Sequence, residues 1–458
     1  MSTLTPIRST DPELKRFFEE LRAKEFGRLD EHGYVYLDYT GSALYAASHL
    51  HEHEDFLEHN VLGNPHSENP ASAAATRIVD ETRRDVLDFF GADPQEYTAI
   101  FTANASAAVK LVGESYAFSE GSRFTLLEDA HNSVNGIRIY AEGKGAEATY
   151  LPLDSELRLD RSAPVPPAGE GPSLFSFPAQ SNFSGVRHPL GLVDEAKALG
   201  YDVLLDAAAY APTSGLDLGA VPADFVCASF YKMFGFPTGI GALIARREAL
   251  ARLRRPWFSG GTVEFVSIQN RMHRLLTGAG AFEDGTLNFL GIAAIQSGLD
   301  FMNRIGMERV TARITDLTAR LLEVLANAKH PDGAPAIRIY GPLSVLDRGG
   351  TVAFNLQDPE GRVLPYGDVE KAAGAAGIAL RGGCFCNPGA AERALELPAE
   401  GMKRCLEEIP QGEFSLKRLA DCLGGDVAVG ALRASVSLPT TDADLDRLDA
   451  FLRDFLRG

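Results

Sequence analysis

A lysine, Lys232, stands in the run ASFYKMFGFPTGIG, between a strand-like stretch (Asp224 to Phe230) and a turn built from Gly235, Pro237, Gly239 and Gly241. Upstream, Asp206 closes the apolar run Val203, Leu204, Leu205. An amine and a carboxylate on neighbouring strand ends can hold an aldehyde cofactor at both ends. The amine condenses as a Schiff base and the acid pairs with a pyridine nitrogen. That is the chemistry of pyridoxal 5'-phosphate.

Other polar residues follow apolar runs in the same way. FTANASAA (Phe101 to Ala108) opens a helix with small residues, where free amides and the hydroxyls of Thr102 and Ser106 can converge on an anion. A plain capping turn has the same composition. In LEDAHNSVNG, His131 lies just past a strand, at the edge where parallel α/β sheets hold ligands. It is either a surface-loop imidazole or a ring stacked on a flat cofactor. In PAQSNFSG, Asn182 either makes an Asx-turn or donates to a phenolate oxygen.

LRGGCFCNPGAA sets Cys384 and Cys386 between glycines and a Pro-Gly pair, the composition of a mobile, exposed loop. Mobility suits a thiol that reaches a substrate and leaves with cargo; an inert buried pair is the plain alternative. Arg433 falls inside an apolar strand, ALRASVSL, and needs an anionic partner. A structural salt bridge would supply one, and so would a substrate carboxylate held by both arms of the guanidinium.

These residues hang on an alternating framework. Residues 11 to 27 read as an amphipathic helix, followed by the strand YVYLDYTG; Ala71 to Phe90 is a second helix. The runs YTAIFTA, RFTLLE, SLFSFPA, DVLLDAA and DFVCASF then alternate with helical stretches, which indicates βαβ units and a mostly parallel sheet. PVPPAGEGP is a surface loop. From about Phe301 the helix MERVTARITDLTARLLEVLANA leads into a smaller α/β lobe with strands AIRIYG, TVAFNL and LRASVSL. The expected division is an N-terminal helical segment (1–30) packing with the small domain, a large domain (31–300), and a small domain (301–458) carrying the cysteine loop.

Bulk properties narrow the function. A length of 458 residues suits two or three lobes, and 45% hydrophobic with 23% charged residues is ordinary for a globular protein. The net charge of −18 argues against nucleic acid as a partner. No run reaches the roughly 18 to 20 apolar residues of a membrane span, and the N-terminus has no signal-peptide apolar core. The expectation is a cytoplasmic protein with no membrane partner. Five cysteines, an odd number, are too few for a disulfide framework and are expected as thiols. One residue separates Cys384 from Cys386, which is not the spacing of a zinc site, and no metal is expected.

Together YLDYTGSALY, GNPHSENPAS, FTANASAA, FPAQSNFSGVRHPLG, LLDAAAY, SFYKMFGFPTGIGAL, FEDGTLNFL and LRGGCFCNPGA resemble the fold type I pyridoxal-phosphate enzymes of the aminotransferase class V group, specifically cysteine desulfurases. Within that group the chain is similar to the N-terminal desulfurase domain of molybdenum cofactor sulfurases. The resemblance implies an α/β fold: a large domain with a mostly parallel seven-stranded sheet, plus a smaller α/β C-terminal domain. It implies that Lys232 carries the cofactor, Asp206 faces the pyridine nitrogen, His131 stacks on the ring and Asn182 lies near its phenolic oxygen. Ala105, Ser106, Ser229 and Tyr231 would line the phosphate, with Thr286 reaching in from the other subunit of a homodimer. Arg433, with Arg381 and Asn182, would meet the substrate. In related desulfurases the persulfide cysteine stands five positions after the residue matching Arg381, which gives Cys386 and leaves Cys384 as its neighbour.

Three features depart from that pattern. Ala209 stands where many desulfurases have a glutamine, Tyr231 precedes the lysine where histidine is common, and the sulfurases continue into a C-terminal domain whereas this sequence ends at Gly458. The resemblance therefore implies desulfuration of L-cysteine to L-alanine with a persulfide on Cys386. The acceptor stays open among a molybdenum cofactor, a carrier protein and a small molecule. A C–S lyase or epimerase on the same scaffold, using no cysteine nucleophile, is the alternative. A non-catalytic scaffold would have no need of Lys232.

Overall fold

The structure, a computed structural model, describes residues 11–425 and 427–457. Seven strands make the main sheet: β1 (Tyr97–Thr102), β2 (Arg123–Leu127), β3 (Glu147–Leu151), β4 (Leu174–Pro178), β5 (Asp202–Asp206), β6 (Phe225–Ser229) and β7 (Gly241–Arg246). Their order is β1-β7-β6-β5-β4-β2-β3. Only β7 runs against its neighbours, so the sheet is mostly parallel. Every residue of β4 and β6 is buried, as expected of strands covered on both faces. Helices Pro70–Phe89, Ala105–Ser115 and Phe289–Ile305 turn apolar faces toward this layer. The parallel strands β2, β4, β5 and β6 bring their C-terminal ends to one edge, just before His131, Asn182, Ala208 and Lys232 respectively.

A second, antiparallel sheet contains β8 (Ile337–Tyr340), β9 (Thr351–Leu356), β10 (Arg381–Gly383) and β11 (Ala431–Ser435), in the order β8-β9-β11-β10. Its register sets Arg381 directly opposite Arg433. Like charges across a strand pair repel, and a third segment supplies the remedy. Val35–Tyr36 pairs with Ile378–Ala379, and Asp38 bridges to Ser435, so an acid from the N-terminal part of the chain arrives beside both arginines.

The helix Pro12–Glu25 is capped by Asp11. It is tied to the C-terminal helix Asp442–Phe455 by Arg22 to Asp444 (2.7 Å) and Lys15 to Asp442 (2.5 Å). Residues 1–10 of the expected N-terminal segment lie outside the described residues. The PVPPAGEGP stretch carries no helix or strand. No described helix is long and apolar enough to cross a membrane.

The structure overturns the expectation that all five cysteines are thiols. Cys405 and Cys422 form a disulfide, leaving Cys227, Cys384 and Cys386 free. The bonded pair lies on successive short helices, Ala399–Glu408 and Leu416–Cys422, whose packing brings the two Cα atoms to 5.9 Å, within disulfide reach. Counting cysteines carries no information about that juxtaposition.

Candidate active site

One cavity lies at the C-terminal edge of the main sheet, lined by Asn104, Ala105, Ser106, His131, Asn182, Asp206, Ser229, Tyr231, Lys232 and Asn387 among others. Lys232 sits on the single turn Phe230–Phe234 that follows β6 directly. Gly235 ends that turn at φ 82°, and a Cβ there would stand 2.3 Å from the Tyr45 nitrogen. Only glycine accepts both the backbone angle and the close approach. The Lys232 amine donates to Asn182 Oδ1 at 3.1 Å. Burial first, and then the charge of Arg433, pull its pKa down to about 8.

Asp206 ends β5, where its Oδ1 accepts from the Ala208 amide (3.0 Å) and from the Cys227 thiol (3.4 Å). Burial and the adjoining carboxylate keep that thiol protonated, so it serves Asp206 as a donor. His131 caps the short turn Asn132–Asn135, with Nδ1 accepting the Ser133 amide at 3.1 Å. A nitrogen that accepts carries no proton, so the ring proton sits on Nε2. Burial lowers the imidazole's pKa and keeps the ring neutral.

At the start of helix Ala105–Ser115, capped by Asn104, the Ala105 amide donates to Ser229 Oγ (2.9 Å), and the Ser106 and Ser133 hydroxyls lie 2.6 Å apart. Free amides, a helix start and three hydroxyls form an anion cradle. Tyr231, half-buried, lines the same space. An amine for the aldehyde, an acid for the ring nitrogen, a neutral imidazole and a phosphate cradle fit pyridoxal phosphate at each end. Thr286 is elsewhere: it lines a separate cleft with Phe101, Lys110 and Asp284, and takes a long contact (3.5 Å) from Asn64. Where Ala209 replaces glutamine, its carbonyl accepts from Gln180 Nε2 at 2.9 Å, so a different amide occupies the neighbourhood.

The arginines meet an acid that sequence reasoning missed. Asp38 Oδ1 accepts from Arg433 Nη2 at 2.9 Å, and Asp38 Oδ2 accepts from Arg381 Nε (2.8 Å) and Nη2 (2.5 Å). Arg433 is 1% exposed, spends Nη1 on the Asn182 carbonyl (2.8 Å), and finds no partner for Nε among the described residues. The signal for Asp38 was present in YLDYTG, an acid closing a strand, but its partners lie more than 340 residues away.

The cysteine loop, expected to be mobile, is docked. Cys386 is exposed, yet its carbonyl accepts from the Asn132 amide (2.7 Å), and the Phe385 carbonyl accepts from Asn182 Nδ2 (2.7 Å). Cys384 is half-buried and donates to the Val429 carbonyl at 3.3 Å; burial raises its pKa. Within a composition that reads as loose, Gly389 lets the loop seat closely on the main-sheet edge, since a Cβ there would stand 2.3 Å from the Glu128 carbonyl.

The aminotransferase class-V family model matches residues 35–448. The chain is 40% identical over 412 residues to a molybdenum cofactor sulfurase from Bos taurus, covering 85% of this chain and 46% of that protein. It is 38% identical over 457 residues to the Homo sapiens protein of the same name, covering 95% and 50%. The chain thus spans about half the length of these relatives. The apo structure of a cysteine desulfurase from Thermococcus onnurineus NA1 superposes with a TM-score of 0.75 at 25% identity, covering 96% of this chain and 98% of that one. With the matched segment running from the Asp38 strand through the Lys232 turn to the C-terminal helix, the chain belongs to the aminotransferase class-V family, and its fold is that of the fold type I pyridoxal-phosphate enzymes.

Proposed function

We propose that this chain is a cysteine desulfurase: with pyridoxal phosphate bound it converts L-cysteine to L-alanine and keeps the sulfur as a persulfide on Cys386. One observation carries the reading. A single side chain, Asn182, accepts from the Lys232 amine and donates to the carbonyl of Phe385, the residue before Cys386. The amine that would hold the cofactor and the thiol that would take the sulfur therefore share a positioning group.

Pyridoxal phosphate, when bound, supplies an electron sink for the carbanion left when the substrate α-proton departs. Lys232, its acidity moved toward neutrality by burial, is the group to carry that proton. Asp206, fixed by two donors, offers its acid to the ring nitrogen, and the neutral His131 ring suits a flat aromatic surface. Arg433 and Arg381 take the substrate carboxylate, which competes with Asp38 for the same guanidinium arms. Cys386, as thiolate, attacks the substrate sulfur. A sulfur–sulfur bond forms, the carbon–sulfur bond breaks with its electron pair going to carbon, and that carbon then takes a proton to give alanine.

Thr286 lies outside the Lys232 cavity of its own chain, which supports a homodimer in which it serves the partner's phosphate cradle. The names of the bovine and human relatives support a molybdenum cofactor as the final acceptor. Incubation with L-cysteine, scoring alanine, pyruvate and protein persulfide together, tests the reaction. Alanine in step with a persulfide on Cys386 is expected, and Cys386→Ser should abolish the persulfide while the cofactor absorbance persists. Pyruvate and ammonia, made equally well by Cys386→Ser, would establish the lyase alternative instead.

A further inference from the structure

Asn387, the residue after Cys386, is fully buried and donates from Nδ2 to both the carbonyl (2.8 Å) and Oδ1 (3.0 Å) of Asp129. Asp129 is itself fully buried. Its Oδ1 also accepts from Ser181 (2.8 Å), and its Oδ2 pairs with Nε2 of the buried His188 (2.9 Å). None of Asp129, His188 and Asn387 has a part in the proposed sulfur chemistry, yet a carboxylate this deep persists only where every neighbour compensates it.

The loop it reaches is under backbone strain. Phe385 and Cys386 stand at φ 52° and 59°, two successive non-glycine residues in the left-handed region. L-residues adopt that conformation at a cost and keep it only where the surroundings hold it. The surroundings here are specific: Asn132 and Asn182 hold the carbonyls on either side of the strained link, the Phe385 ring lies 5.4 Å from Phe183 and 4.7 Å beneath Arg433, and Asn387 is pinned to Asp129. Just beyond, a Cβ on Gly389 would stand 2.3 Å from the Glu128 carbonyl, so any side chain there would push the loop off the sheet edge. Asp129 also lies two residues before His131, on the same turn, so one anchor serves both the imidazole and the thiol loop.

We propose that the buried Asp129–His188 pair, acting through Asn387, is a positioning unit that docks the Cys386 loop against the main sheet and aims the thiol at the cavity. The docking stands on the geometry alone; its catalytic consequence rests on the reading of Cys386 as nucleophile. Releasing the latch lets the left-handed residues relax and the thiol swing away, so the docked state suits sulfur capture and the released state suits delivery.

Two variants of the cofactor-loaded enzyme test this: Asn387→Ala, which removes the latch, and Gly389→Ala, which wedges the loop away while leaving every hydrogen-bonding side chain in place. Each should retain the cofactor absorbance band and a single cooperative unfolding transition, its midpoint lowered because a buried carboxylate loses a partner or a loop loses its seat. Deuterium uptake at residues 384–388 should rise, and iodoacetamide should alkylate Cys386, read by peptide mass, severalfold faster. Single-turnover persulfide formation should slow by about tenfold or more, the scale of hydrogen bonds lost to a charged group, with KM for L-cysteine little changed. Unchanged exchange and alkylation in both variants would overturn the docking, and a loosened loop with an unchanged persulfide rate would overturn the positioning role. If the wild type itself makes no persulfide on Cys386, the nucleophile reading fails, while exchange and alkylation still decide the docking.

Discussion

The two walls of the cavity are built on different principles. On the Lys232 wall, Asp206, His131 and Lys232 are delivered by the C-terminal ends of parallel strands of one sheet, so the backbone of the sheet sets their spacing. On the arginine and cysteine wall, side-chain bonds across long stretches of sequence do that work: Asp38 to Arg381 and Arg433, Asn182 to Phe385, Asn387 to Asp129. Chemistry and architecture are therefore separable on the first wall and entangled on the second. Substitutions on the first should silence the protein and leave it folded, whereas substitutions on the second should cost both.

The sharpest break is Lys232→Ala. It removes the amine that tethers the cofactor and the group that carries the α-proton, the latter role alone being worth about 10²–10⁴-fold in rate. Alanine release should fall by at least that factor, and the mass of the covalent adduct should vanish after mild reduction with borohydride. The unfolding transition of the apoprotein should not drop, because a buried amine is removed from a turn whose backbone position does not depend on it. A large loss of stability would mean that this wall is as entangled as the other.

Asp38→Asn probes the second wall. It removes the counter-charge from Arg433, which is 1% exposed and already has one N–H without a partner. Breaking a buried pair leaves an uncompensated charge at a cost of about 3–5 kcal/mol. Urea unfolding should show a loss in that range, and KM for L-cysteine should shift as well, since the arginines lose the anion that orients them. Arg381→Ala is the control: half-exposed, its contact with Asp38 should be worth about 1 kcal/mol or less. Equal losses for the two substitutions would defeat the distinction between buried and exposed arms.

How much was legible in the sequence follows the same divide. Strand-end residues are announced locally, by an apolar run and then a polar side chain, so the runs ending at Asp206 and before Lys232 and His131 could be read directly, and the strands they close are there. β3 and β7 were not singled out: EATYL is an edge strand with mixed exposure, and GALIAR follows a glycine turn that hides its start. The role of Asp38 depends on the register of a two-residue strand against residues 378–379, which no local pattern encodes. The docking of the cysteine loop has no local sign, because Gly and Pro signal freedom to a local reader, whereas here a glycine also permits contact with Glu128. The disulfide was missed because an argument from compartment and parity cannot see two helices turning their cysteines toward each other.

The gentlest test uses protons. Burial and Arg433 hold the Lys232 amine at about 8 in the folded apoprotein, against an ordinary value of 10.5 for an unfolded lysine. Between those values the unfolded chain binds a proton that the folded chain does not, so stability rises with pH across that window. The penalty, about 3 kcal/mol, is present in full below about pH 8, shrinks as pH climbs, and is gone above about 10.5. In the Lys232→Met variant the titrating group is absent while the other ionisable groups remain. The stability difference between that variant and wild type, followed by urea unfolding from pH 7 to 10.5, should therefore narrow by about that amount. Parallel profiles would show that the amine is hydrated in the apoprotein, and that the Lys232 wall lacks the dry, pre-formed character that sets it apart from its neighbour.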